Sequence, residues 1–299
     1  MNRKVFRTCG AEAIVILLLL CSLPFLARPS LAADAFIVGD IQYKPVADVV
    51  SEIKSALKMR VNVYATSEVM GKLGSVVNKE GARLVVALGK DAVDEAVKLP
   101  PTVTVIYGLV IAPPKTTRPN ITGVYMSTPV VEYINAVRKY LPSIKKISVI
   151  GSQDLMKILD GYRRSQVEAY RVSSSSELVN TVDRLDDSDA VLLLPDAALL
   201  TATVMDKVYL FSYRKNIPLL GISEGNVKHG ALFAIVFDPE SVGRQIGEKA
   251  STALSNGDAG QLQPSPPAKF NLCLNTNTAR KMGITFPEEM VLKAHKVYP

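Results

Sequence analysis

Polar, aromatic and glycine residues recur in this 299-residue sequence at one kind of place, just after a short apolar run. They are Asp40, Gly89-Lys90, Tyr107, Tyr125, Ser152, Pro195-Asp196, Ser223-Glu224 and Asp238, with Thr128 close behind the Tyr125 run. Carboxylates, hydroxyls, phenols and glycine-flanked amides of this sort grip a small molecule rather than transform it. Each also has a plainer use as a turn or cap residue. Asp238 and Thr128 each precede a proline, in the pattern of an N-cap followed by Pro at the first helical position.

Catalytic patterns are missing. No G-x-G-x-x-G follows a strand, and Gly89-Lys90 runs into Asp91 where a phosphate loop needs Ser or Thr. His229 and His295 are the two histidines, and neither has metal-ligand neighbours. No G-x-S-x-G elbow occurs. The acids Asp186-Asp187-Ser188-Asp189 read as a solvated loop, and the run Ser173 to Ser176 as a loop ending in an N-cap. No catalytic residue, metal or cofactor is therefore expected.

The elements that must position these groups alternate regularly. Apolar strands are expected at Phe36–Asp40, Val61–Thr66, Arg83–Gly89, Thr102–Gly108 and Ile121–Met126, with amphipathic helices such as Pro45–Leu57 between them. Ile111–Asn120 carries three prolines and no periodicity, so it is a loop. The pattern then restarts with a helix opened by Thr128-Pro129. Strands follow at Lys146–Gly151, Val167–Val172, Ala190–Leu194, Ile217–Ile222 and Ala231–Phe237, with a helix expected from Asp154 to Tyr162 and a Gly-rich turn from Gly225 to Gly230. Strands apolar on both faces and separated by helices predict α/β architecture with two doubly wound parallel sheets. Ligands bind such sheets outside the carboxyl ends of the strands, where the polar residues above fall. After Phe237 comes a well-punctuated helix. Asp238 caps it, Pro239 and Glu240 open it, Val242, Ile246, Ala250 and Leu254 form its stripe, and Asn256-Gly257 ends it.

The N-terminus reads as an export signal over residues 1–32. Arg3, Lys4 and Arg7 precede an apolar run from Ala13 to Leu20, too short to span a bilayer, and Ser30-Leu31-Ala32 offers a cleavage site. Lipidation at Cys21 is disfavoured by the large Leu20 before it. Removing residues 1–32 takes four Lys/Arg and one Glu from totals of 35 and 28, so the net charge falls from +7 to +4. That balance argues against a nucleic-acid partner. Cleavage also leaves Cys273 as the sole cysteine, expected to pack in a strand, with no disulfide.

Several stretches carry a resemblance: Thr122-Gly123-Val124 before a Pro-initiated helix, Asp189-Ala190, Glu224 to Ala231, Gly243 to Gly247, Phe270 to Asn275 and Ala279 to Pro287. Together they resemble the periplasmic substrate-binding proteins of ABC transporters, and among them a family whose characterised members include aromatic amino-acid binders. The resemblance implies a type I periplasmic-binding-protein-like fold whose chain crosses between lobes near Ser127, Asp238 and Ala268. Residues 33–126 plus 239–267 would form one lobe, and 127–238 plus 268–299 the other. It further implies a ligand set drawn from Asp40, Gly89, Lys90, Tyr107, Tyr125, Thr128, Ser152, Pro195, Asp196, Ser223, Glu224 and Asp238. In that set Tyr107 or Tyr125 walls the ligand, Asp196, Glu224 or Asp238 meets an amino group, and amides at helix N-termini hold an anion. A periplasmic monomer would pass a small molecule, such as an amino acid, to an ABC permease. Departures fall at cleft positions: Pro195-Asp196-Ala197 replaces Thr-Asp-Asn, Pro239 replaces a tyrosine, and Tyr107-Gly108-Leu109 replaces a small-polar run. The alternatives are a ligand-sensing subunit of another membrane complex, or an exported α/β enzyme.

Overall fold

The computed structural model describes residues 34–156, 166–196, 198–257 and 259–299. The export segment at 1–32 and the helix expected from Asp154 to Tyr162, apart from a first turn at Gln153–Met156 (α6 below), lie outside the described residues. The first sheet contains β1 (Ala35–Val38), β2 (Val61–Tyr64), β3 (Leu84–Leu88), β4 (Thr104–Val110) and β5 (Ile121–Tyr125). All its pairings are parallel, in the order β2-β1-β3-β4-β5. Its helices are α1 (Lys44–Leu57), α2 (Thr66–Val69), α3 (Leu73–Glu80) and α4 (Lys90–Ala96). Every residue of β1 is buried because both faces of the sheet are covered. Phe36 and Val38 pack with Val69, Leu73 and Val77 on one side. Ala35 and Ile37 pack with Val49, Val50 and Ile53 on the other.

The second sheet repeats the scheme and extends it. Its strands are β6 (Ile147–Ser152), β7 (Val167–Val172), β8 (Ala190–Leu193), β9 (Leu219–Gly221), β10 (Phe233–Phe237), β11 (Phe270–Asn275) and β12 (Lys296–Tyr298). Their order is β12-β11-β10-β9-β8-β6-β7, with only the β10–β11 pair antiparallel. Helices α5 (Val130–Tyr140), α6 (Gln153–Met156), α7 (Ser175–Asp183), α8 (Ala202–Lys215), α9 (Glu224–Lys228), α10 (Pro239–Asn256), α11 (Thr276–Lys281) and α12 (Glu288–Lys293) complete the chain. The fold is thus α/β, with two doubly wound lobes, as the sequence predicts.

The chain changes sheets three times: after β5, after β10 and before β11. All three passages meet the strand ends that form the carboxyl rims, since β11 runs antiparallel to β10 and enters from the same end. Helix α10 follows a strand of the second sheet yet packs on the first. Val242, Ile246, Ala250 and Ala253 are fully buried in one cluster with Val49, Val50 and Ile53 of α1. Gly243 and Gly247 make this possible. A Cβ on Gly243 would lie 2.6 Å from the Val49 carbonyl oxygen, and one on Gly247 would lie 2.5 Å from the Ala56 Cβ.

Three local readings are corrected. The segment expected as a Gly-rich turn folds as α9, capped by Ser223, whose hydroxyl accepts from the Asn226 amide. Strand β4 runs on to Val110 through a bulge, with Leu109 at φ 55°. Lys296–Tyr298, where the sequence reading places no strand, is a strand. Cys273 lies in β11 as expected and is fully buried. Burial, helped by the nearby Glu224 charge, pushes its thiol up to about 11. A thiol reagent should therefore leave the native protein unlabelled and modify one cysteine of the chain lacking residues 1–32 only upon denaturation. Labelling of the native protein at the rate of a free thiol would contradict that burial.

Candidate functional site

The carboxyl rims of the two sheets adjoin the three crossings, so the cleft between them is the candidate site. On the first rim, Asp40 follows β1 and accepts the Thr66 amide at 3.1 Å, capping α2. Ile41 and Tyr43 stand beside it, 50% and 61% exposed. Gly89 turns β3 into α4 at φ 93° and ψ 161°, a conformation that side-chain-bearing residues avoid, while its amide donates to the Gly108 carbonyl at 2.9 Å. Lys90 is exposed and paired with Asp94 on its own helix. Tyr107, expected as a ligand wall, is buried to 1% in the apolar layer over the sheet, and its hydroxyl has no hydrogen-bond partner among the described residues. Burial first, and the neighbouring Tyr125 second, raise its phenol above the ordinary tyrosine range. Tyr125 ends β5 half-buried, its amide donating to the Ser265 carbonyl at 3.1 Å.

The second rim holds a small recess lined by Met126, Thr128, Tyr133, Leu192, Leu194, Pro195 and Ile222. Thr128 is not the N-cap expected of it. The cap position falls to Pro129, and the Thr128 hydroxyl instead donates to the Ile235 carbonyl at 3.1 Å. Tyr133, which the sequence reading passed over, anchors the recess floor. Its hydroxyl lies 2.9 Å from the Gly221 carbonyl and 3.2 Å from that of Ile235, and its ring stacks on Phe233. Burial holds the Tyr133 phenol protonated well above the ordinary range. Ser152 stands half-buried at the end of β6. Asp196 makes a local turn, accepting the Ala198 amide at 3.0 Å.

Glu224, expected as an acidic pole, is engaged at the β12 edge. It accepts from Lys296 at 2.9 Å and from Tyr298, and pairs with Lys228 at 3.0 Å. Those three donors hold its carboxyl at about 2. Its charge is thus answered within its own lobe, whereas Thr128 and Pro195 share the recess. Asp238 is the N-cap of α10, as expected, with Oδ1 accepting from Ser241 at 2.8 Å. Oδ2 accepts from Asn271 at 3.1 Å and pairs with Lys269 at 3.4 Å. Asp238 therefore ties the second crossing to the third. Gln245, another residue the sequence reading missed, holds the third crossing: its amide nitrogen donates to Ser265 Oγ and the Pro266 carbonyl, and its oxygen accepts from Ala268. The visible signal was its place in the Gly243 to Gly247 motif.

The profile of ABC transporter substrate binding proteins matches residues 79–298, most of the chain and every strand of the second sheet. The chain belongs to that family. Proteins of the ABC transporter substrate binding family work outside the cytoplasm, and no described helix is long and apolar enough to cross a membrane. A "Tyrosine-binding protein" from Clostridioides difficile (strain R20291) is 24% identical over 174 residues, covering 55% of this chain and 50% of that relative. The matched part therefore spans about half of the curated relative. A Streptococcus pneumonia ABC domain in complex with L-Trp superposes with TM-score 0.59 and 18% identity, over 88% of this chain and 99% of that one. The ligand-free, open structure of a substrate binding protein with adhesive properties from Clostridium difficile gives TM-score 0.67 and 15% identity, over 88% and 98%. At these identities the solved structures speak for the fold, which both share with this member of the family.

Proposed function

We propose that this protein captures an amino acid with an apolar or aromatic side chain between its lobes outside the cytoplasm and delivers it to an ABC importer. One observation carries the reading: at the second carboxyl rim, Met126, Leu192, Leu194, Pro195 and Ile222 surround a recess that Thr128 and Tyr133 also line. The opposite rim offers the exposed side chains of Ile41 and Tyr43. An apolar side chain held between them would be desolvated on both sides as the lobes close. The relatives' tyrosine and tryptophan supply the choice of ligand class. Under this proposal residues 33–126 with 239–267 form one closing lobe, residues 127–238 with 268–299 the other, and residues 1–32 direct export of a monomer.

Thermal unfolding of the protein lacking residues 1–32 tests it, scanned against L-tryptophan, L-tyrosine, L-phenylalanine, purines and sugars. A ligand that binds only the folded state raises Tm progressively with its concentration. A shift with at least one aromatic amino acid and none with the sugars is expected. An unmoved Tm across the whole panel would sink the proposal.

A further inference from the structure

We infer that segment 111–120, between β4 and β5, is a strap that ties the two lobes by an ion pair and biases how far they open without ligand. Three features make it a strap rather than a slack loop. Pro113, Pro114 and Pro119 fix three φ angles and restrict the residues before them. Its far end is pinned to the first lobe: the Arg118 guanidinium donates to the Val97 carbonyl at 2.6 Å and to that of Leu99, and Asn120 Nδ2 donates to the Val103 carbonyl at 2.7 Å. Between those pins and β4, Lys115 extends to the other lobe, where its Nζ lies 3.2 Å from Asp154 Oδ2 in α6. Asp154 stands two residues beyond Ser152, the end of β6, so the contact sits at the second carboxyl rim.

The strength of this tie suits a bias rather than a lock. Lys115 and Asp154 side chains are 90% and 62% exposed. Water and salt screen such a pair, but the proline-fixed backbone spares part of the entropy normally lost in ordering it. A pair of this class changes an open-to-closed ratio by about 1.5-fold to 5-fold. Ligand binding overcomes that easily, whereas a buried pair would resist it.

The inference rests on lobes that move, as the proposed function requires, but its test uses no ligand. Spin labels at Lys79→Cys and Asp206→Cys, both exposed and one on each lobe, report the interlobe distance. Buried Cys273 stays unlabelled. Lys115→Glu alone and Asp154→Lys alone should each shift the open-to-closed ratio at low salt, both in the same direction, by at least the factor above. The double swap Lys115→Glu with Asp154→Lys should restore the wild-type distribution, and high salt should bring wild type and single variants together. Single reversals that leave the distribution unchanged, or a double swap that fails to restore it, would overturn the strap. Neither result touches the solute-binding reading, which stands or falls on the ligand-induced Tm shift.

Discussion

Gly243→Val should lower the unfolding free energy by about 3 kcal/mol, and Gly247→Val by about 2–3 kcal/mol, at unchanged urea m-value. At Gly243 the added Cβ meets the Val49 carbonyl oxygen at 2.6 Å and the Val49 Cα at 3.1 Å. Both are backbone atoms of a packed helix and cannot swing aside. At Gly247 the obstacle is the Cβ of Ala56 at 2.5 Å, with the Ile53 backbone at 3.5 Å. Valine regains part of glycine's helix-propensity deficit, a few tenths of a kcal/mol, which is too little to offset overpacking. The consequence extends beyond one contact. Helix α10 is the segment by which the chain, having built most of the second lobe, returns to complete the first. Pushing it off α1 opens the cluster around Ile37, Ile53 and Ile246. Chemical denaturation of the two variants beside wild type measures the effect. Midpoints equal to wild type would show that the helices do not approach this closely.

The sequence revealed those elements whose physics is local. β1, β3 and β8 are buried on both faces, so continuous apolar runs mark them. Helix α10 carries its own start and stop in Asp238-Pro239 and Gly257, the latter at φ 69°. What escaped depends on distant partners. β12 has three residues and exists because β11 pairs with it and Glu224, more than seventy positions away, binds Lys296 and Tyr298. Helix α9 contains Gly225 and would not persist alone. It is held by Val227 packing on Ala234 and Cys273 and by Asn275 donating to the Val227 carbonyl at 2.7 Å. The candidate site shows the same division. The strand-end rule located both rims, but not how each side chain there is used. Tyr107 turned into the core and Glu224 was taken by lysines, whereas Tyr133, outside the strand-end pattern, anchors the recess. Thr128 fits the cap pattern on composition, yet Pro129 itself stays extended at ψ 133° and the helix starts one residue later, so the Thr128 hydroxyl finds the Ile235 carbonyl instead.

Asp238→Ala should cost about 2 kcal/mol near neutral pH, and Asp238→Asn about half as much. The alanine loses the Ser241 cap, worth about 1 kcal/mol, and leaves Asn271 and Lys269 without their acceptor. Asparagine keeps a capping oxygen but gives up the charge that answers Lys269. The pH dependence separates these contributions. Burial alone would raise the Asp238 carboxyl, but hydrogen bonds from the Ser241 amide, Asn271 and Lys269 outweigh it, and the folded-state value lies below 3.8. A carboxyl depressed on folding adds stability that is fully present above its unfolded pKa and is lost as pH falls through the folded one. The gap between wild type and Asp238→Asn should therefore hold constant above 3.8 and narrow below it. The gap to Asp238→Ala should narrow likewise, yet keep a residue from the lost cap. Urea unfolding across that range decides the matter, and a wild-type-to-Asn gap indifferent to acid would rule out the charge as its source. The result bears on function because both Asp238 oxygens are engaged within the protein. A ligand's amino group reaching Asp238 would meet a carboxylate that already accepts from the Ser241 amide, Asn271 and Lys269, the last two binding it to the third crossing. A carboxylate placed so serves first to fasten the second crossing to the third.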